Sequence, residues 1–99
     1  MVRASVVIVE DDARVAAHIA HGVAAHERLA VLATAGTLAE ARALLGHEVD
    51  LFILDLGLPD GNGIDLIEDI RAGDRREPKI LVLSVLGDQE TVLAAVLAG

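Results

Sequence analysis

Cysteine, tryptophan and tyrosine are absent from this chain, and Phe52 is the only aromatic side chain among its 99 residues. Without thiols there is neither a disulfide framework nor a thiolate metal site, a composition that fits a reducing compartment. Without aromatics the interior has to be built from Val, Leu, Ile and Ala, and at 54% hydrophobic residues the sequence supplies enough of them. No apolar run approaches the ~20 residues that span a bilayer. The amino terminus also lacks a basic stretch leading into a long apolar one, so a soluble, cytoplasmic chain without membrane contact is expected. Positive charge is scarce: 8 basic against 16 acidic side chains leave a formal charge of -8. That balance opposes unassisted binding to nucleic acid phosphates, so any DNA contact is expected from another segment. A chain of this length builds one core and one domain.

What is present is organised around Asp50 to Gly63, DLFILDLGLPDGNG. Leu51, Phe52, Ile53 and Leu54 form a continuous apolar run, as in a strand buried on both faces of a parallel sheet. The run stops at Asp55, and Pro59-Asp60-Gly61-Asn62-Gly63 behind it is dense in turn formers. A carboxylate is thereby presented at a strand's carboxyl end, the edge where open α/β sheets bind ligands.

The remaining chain alternates between two periods. Ser5 to Val9 is a β-branched strand running into Glu10, Asp11 and Asp12. Val15, Ala16, Ile19, Ala20 and Val23 recur at helical spacing from Ala13 to about His26, with Asp12 as the cap. His18 and His21, one turn apart on the opposite side, read as a solvated face because no third metal ligand is near. Leu29 to Ala33 is a second strand. Thr37-Leu38-Ala39-Glu40 spells a capping box for a helix ending near Gly46, with Leu38, Ala41, Leu44 and Leu45 as its stripe. After the Asp55 loop, Ile64, Leu66, Ile67 and Ile70 mark a third helix, stopped around Gly73 and the charged turn from Asp74 to Pro78. Lys79 to Ser84 reads as a fourth strand and Asp88 to Ala98 as a fourth helix.

Four βα units in succession imply a parallel sheet with helices on its faces and right-handed crossovers. All strand carboxyl ends then point one way. Glu10, Asp11, Asp12, Asp55 and Ser84 converge on one rim, where the acids repel and raise at least one pKa unless a cation lies among them. Magnesium suits such an all-oxygen set, because it takes a few carboxylate and carbonyl oxygens and keeps waters for a phosphate. An aspartate beside it has the means to attack phosphorus and form an aspartyl phosphate.

These segments carry a family resemblance. VVIVEDD at Val6 to Asp12, DLFILDLGLPDGNGIDLIEDIR at Asp50 to Arg71 and KILVLSVLGDQETVLAAVLAG at Lys79 to Gly99 resemble the receiver domain of bacterial two-component response regulators. Within that family the chain is most similar to receivers joined to LuxR-type helix-turn-helix domains. The resemblance implies a flavodoxin-like, doubly wound α/β fold with strand order 2-1-3-4. It implies that Asp55 accepts a phosphoryl group from a histidine kinase and that Glu10, Asp11, Asp55 and the Gly57 backbone carbonyl hold Mg2+. Ser84 resembles the hydroxyl residue that turns toward a phosphoryl oxygen on activation. Such a domain is a phosphoacceptor and switch for transcription, not an enzyme in the ordinary sense.

The resemblance breaks at the carboxyl end. Receivers continue into a fifth strand, bearing a Lys that contacts the phosphoryl group and an aromatic switch, and then a fifth helix; this sequence reads as a receiver over residues 1 to 99 cut after the fourth helix. Loss of that strand predicts a bare sheet edge, a homodimer through that edge or through element exchange, and weaker phosphorylation than in a longer chain. Gly57 and Leu86 stand where receivers tune water access to the acyl phosphate, and neither orients water, so self-dephosphorylation is expected to be slow. Two other classes compete. A phosphorylation-independent interaction module would bind its partner unchanged by Asp55→Asn, whereas an aspartate-nucleophile phosphohydrolase usually has a second Asp two residues on, where Gly57 stands.

Overall fold

The computed structural model describes residues 3–73 and 78–83. Residues 74–77 of the turn expected from Asp74 to Pro78, together with Ser84, Leu86 and the helix expected over 88–98, lie outside the described residues. Among the described residues no helix is long and apolar enough to cross a membrane.

The chain runs β1 (Ala4–Val9), α1 (Ala13–Ala24), β2 (Leu29–Ala35), α2 (Leu38–Ala43), β3 (Leu51–Asp55), β4 (Gly57–Leu58), β5 (Gly61–Asn62), α3 (Gly63–Arg71) and β6 (Lys79–Leu83). The main sheet is parallel in the order β2-β1-β3-β6. This is the expected 2-1-3-4 order, its fourth strand numbered β6 because β4 and β5 form a small antiparallel hairpin that periodicity did not announce. Two residues per strand are too few to carry an alternating pattern.

Strand pleating divides the core in two. Val7, Val9, Phe52 and Leu54 pack under Leu38 and Ala41 of α2 and Leu66 and Ile70 of α3. Val6, Ile8 and Ile53 face Ala16, Ile19 and Val23 of α1 on the other side, so the sheet is doubly wound. Burial on both faces is why β1 and β3 read as unbroken apolar runs.

Several boundaries move from their expected positions. Helix α2 stops at Ala43; Leu44 and Leu45 lie in the following turn yet still pack against the core, so the apolar stripe outlasts the helix. Strand β2 extends through Thr34 and Ala35, because pairing with Ile8 and Val9 of β1 satisfies backbone groups that weak β-formers alone would not organise. Its register slips by one residue: Val6 faces Val31 but Val7 faces Ala33, leaving Leu32 as a bulge, 43% exposed on the edge strand.

Asp50 aligns the strands at their amino ends. Its Oδ2 accepts from the Ser5 N–H at 2.7 Å, its own N–H donates to the Ser5 carbonyl at 2.9 Å, and its carbonyl accepts from the Lys79 N–H at 3.0 Å. With β1, β3 and β6 aligned at that end, Val9 and Leu54 pair side by side, and Glu10 leaves the sheet beside Asp55.

Candidate metal centre

Strand β1 is wholly buried from Val6 to Val9 and delivers Glu10 to the rim with the side chain still inside: Glu10 is 6% exposed and Asp55 8%. Asp11, one residue further, is exposed. One ligand oxygen from each of Glu10, Asp11 and Asp55 lies within 4.8 Å of the other two. Residues 45 positions apart thus share one site because parallel strands end on the same side. Asp12, by contrast, turns to α1, where its Oδ1 accepts from the N–H groups of Arg14 and Val15 at 2.9 and 3.3 Å. The acid run therefore divides into two rim residues and one helix cap, as the sequence predicts. Asp12→Ala should cost about 1 kcal/mol of stability, the usual worth of a cap, and leave magnesium affinity nearly unchanged by calorimetric titration.

The electrostatics of the rim are unfavourable as they stand. Burial is the largest cause, followed by the facing Asp55 carboxyl and the charges of Asp11 and Asp12; together they push the Glu10 carboxyl from its ordinary 4.5 up to about 8. Glu10 Oε2 is buried with no hydrogen-bond partner among the described residues. A buried carboxylate oxygen without a donor is costly, and a cation at that point removes the cost. Among the described residues the gathered ligands are all carboxylate oxygens, with neither thiol nor imidazole, so the donor set fits a hard divalent ion such as Mg2+ and not zinc. Beside the acids an open depression of about 270 Å³, lined partly by the small residues Ala13, Ala17 and Gly36, keeps Glu10 and Asp11 approachable from solvent.

Asp55 is held by its own loop. The Gly57 N–H donates to Asp55 Oδ1 at 3.1 Å, and the Gly63 N–H donates to the Leu56 carbonyl at 3.0 Å, closing the β4–β5 hairpin directly behind the carboxylate. Gly63 does more than turn. A Cβ there would stand 2.9 Å from the Asp55 carbonyl oxygen and 3.0 Å from Leu56 Cα, so the absence of a side chain lets α3 start against the end of β3. Asn62 caps α3 through the Ile64 N–H at 2.9 Å.

Asp60, which sequence reasoning took for turn chemistry, has a longer reach. Its Oδ1 and Oδ2 accept from the Leu38 and Ala39 N–H groups at 2.7 and 3.1 Å, across the chain at the start of α2. Those bonds, Leu38 first, hold its carboxyl below the ordinary range. Thr37 caps the same helix through the Glu40 N–H at 3.1 Å, while Glu40 reaches back to the Gly36 N–H at 2.9 Å, one residue before the partner a capping box would give it. No local signal pairs Asp60 with a helix more than twenty residues earlier. Ser84 lies outside the described residues.

Comparison with known proteins places this arrangement in context. Residues 6–99 match the family model described as a response regulator receiver domain. The DNA-binding transcriptional activator DevR/DosR of Mycobacterium tuberculosis is 36% identical over 97 residues, 95% of this chain but 43% of that protein. The chain therefore spans less than half the length of that curated relative. The structure of the MaeR response regulator bound to beryllium trifluoride superposes with a TM-score of 0.75 at 27% identity, covering 97% of this chain and 79% of that one. A response regulator receiver protein from Pseudomonas putida gives 0.74 at 29% identity, covering 98% and 81%.

Proposed function

Because this chain belongs to the response regulator receiver domain family, we propose that Asp55 is its phosphoacceptor and that Glu10 and Asp11 hold Mg2+ beside it. The observation that carries the reading is the gathering of Glu10, Asp11 and Asp55 oxygens within 4.8 Å of one another, with one Glu10 oxygen buried and unpartnered among the described residues.

The chemistry follows from the residues. An oxygen of Asp55 attacks the phosphorus of a phosphohistidine, the new O–P bond forms as the P–N bond breaks, and the imidazole leaves with the electron pair and takes a proton from solvent. Bound magnesium supplies charge neutralisation for the phosphoryl oxygens. The Gly57 N–H holds one oxygen of the attacking carboxylate at 3.1 Å, and its carbonyl, by resemblance, would complete the protein's share of the metal shell. Burial of Asp55 restricts water at the acyl phosphate, and Gly57 brings no side chain to orient a water there. The domain therefore acts as a phosphoacceptor with slow self-dephosphorylation. Ser84, carried over from the resemblance alone, completes the switch through its hydroxyl. A histidine kinase is the donor. The chain serves as the receiver module of a transcription regulator, a role supported by relatives so named.

Incubation with acetyl phosphate and magnesium should add the mass of one phosphoryl group, sensitive to hydroxylamine as an acyl phosphate is. Chelation with EDTA or Asp55→Asn should abolish it. Incorporation that survives in Asp55→Asn would assign the acceptor elsewhere. Absence of both incorporation and beryllofluoride binding by the unaltered chain would remove the phosphoacceptor role.

A further inference from the structure

We infer that Asp60 couples occupancy of the acidic rim to the position of α2, so that ligand binding at Asp55 and the seating of that helix strengthen each other. The inference rests on the rim's reading as a magnesium and phosphoryl site.

The connection is a continuous set of hydrogen bonds. It begins at Asp55 Oδ1, which holds the Gly57 N–H at 3.1 Å. Gly57 pairs with Asn62 and Leu58 with Gly61, and the Gly63 N–H bond to the Leu56 carbonyl closes the base. Residues 56–63 are therefore a braced hairpin and not a loose loop. Asp60 sits at its tip, and both its carboxylate oxygens accept from α2, from the Leu38 N–H at 2.7 Å and the Ala39 N–H at 3.1 Å. Gly61 beside it has φ +152, and a Cβ there would approach Leu38 Cδ1 to 2.6 Å, so the tip is seated directly on the helix. Leu58 from the hairpin and Leu38 from the helix share one core cluster.

Helix α2 is suited to respond. It has six residues, fewer than two turns, so it moves as one body. Among the described residues its other polar ties include the Thr37 cap, the Glu40 carboxylate's bond from the Gly36 N–H at 2.9 Å, and the exposed Arg42 Nε to Asp69 Oδ2 pair at 2.8 Å, which links it to α3. A ligand that draws on the Asp55 carboxylate and on Gly57 acts on the first rung of the hairpin. Bracing transmits that pull to Asp60, with no other element between them. Linkage then requires the reverse effect: a hairpin anchored to α2 holds Asp55 and Gly57 in place before the ion arrives and raises its affinity.

Amide NMR of the full chain tests this with magnesium, then magnesium plus beryllofluoride. Gly57 reports the rim; Leu38 and Ala39 report the clasp. The expected result is that all three amides shift along one binding curve and that Leu38 and Ala39 exchange more slowly when the rim is filled. Asp60→Ala should weaken magnesium by about fivefold, the low end of measured couplings, and silence the Leu38 and Ala39 response; Asp60→Asn, keeping one acceptor oxygen, should recover part of both. Thr37→Ala removes a cap within α2 and leaves the Asp60 bonds in place, so it should weaken magnesium much less than Asp60→Ala. If Gly57 responds while Leu38 and Ala39 do not, or if Thr37→Ala weakens magnesium as much as Asp60→Ala, the coupling through Asp60 is refuted. If Gly57 itself ignores magnesium, the metal reading fails and this inference with it.

Discussion

Raising the pH of the metal-free chain from 5 to 8 should destabilise it by about 2–3 kcal/mol, and magnesium should reverse most of that loss. The cause is Glu10, whose carboxyl is pushed from 4.5 to about 8 by burial and by the facing Asp55. Below 4.5 both folded and unfolded chains carry the proton. Between 4.5 and about 8 the folded chain keeps a proton that the unfolded chain has released, so each rise in pH favours unfolding; above about 8 the loss is complete. The full interval corresponds to roughly 4–5 kcal/mol, and water reaching the rim beside exposed Asp11 screens part of it. Against a domain's total of about 5–15 kcal/mol this is a large fraction. Magnesium requires the ionised carboxylate, so it stabilises more at pH 8 than at pH 5 and displaces a proton as it binds near neutrality. Urea titrations followed by far-ultraviolet circular dichroism measure this directly, the chain having no tryptophan to follow. Glu10→Gln tests the assignment, because it should flatten the metal-free profile; an unchanged slope would show that Glu10 is not the group responsible.

Gly63→Ala should cost about 2–3 kcal/mol, at the upper end of what one added methyl does in a packed site. The methyl would meet the Asp55 carbonyl oxygen at 2.9 Å, Leu56 Cα at 3.0 Å and Leu54 Cδ1 at 3.2 Å. The two nearest atoms are main chain and cannot rotate aside. Helix propensity, which favours Ala over Gly, offsets only part of the clash. Relief requires α3 to back away from the end of β3 or the Asp55 peptide to tilt, and either motion moves the carboxylate off the rim. The substitution should therefore lower both the thermal midpoint and magnesium affinity. Gly46→Ala is the control: among the described residues no other atom lies within 4 Å of a Cβ there, and its midpoint should stay close to that of the unaltered chain. Equal effects from the two variants would show that the loss at position 63 comes from backbone freedom and not from contact.

The parts of the site that were legible in the sequence are those written in consecutive residues. Val6 to Val9 ending in acids, and Leu51 to Leu54 ending in Asp55, each announce a buried strand with a carboxylate at its exit. Asp12, Thr37 and the turn formers before α3 announce helix starts by the side-chain oxygens that backbone donors need. Apart from the convergence of strand ends on one rim, which the βα alternation announces, long-range partnerships left no such trace. Asp60 reads as a turn residue because its local surroundings are a turn; only the approach of α2 gives its carboxylate two donors. The Leu32 bulge was equally silent, since the slip depends on how β2 meets β1 and not on Leu32 itself. The end of α2 was misplaced because Leu44 and Leu45 keep the helical spacing of buried residues while the backbone has already turned.

By itself the amino-acid order determined the class of fold, which residues enter the core and which acids stand at strand ends, because burial pattern and capping act between near neighbours along the chain. The alternation of strands and helices also brings Glu10, Asp11 and Asp55 to one rim; tertiary structure alone decided how closely their oxygens approach, that Glu10 Oε2 is buried with no donor among the described residues, and that Asp60 closes on α2. Those outcomes depend on strand alignment and close packing between distant segments, where differences of an ångström decide whether a carboxylate finds a partner.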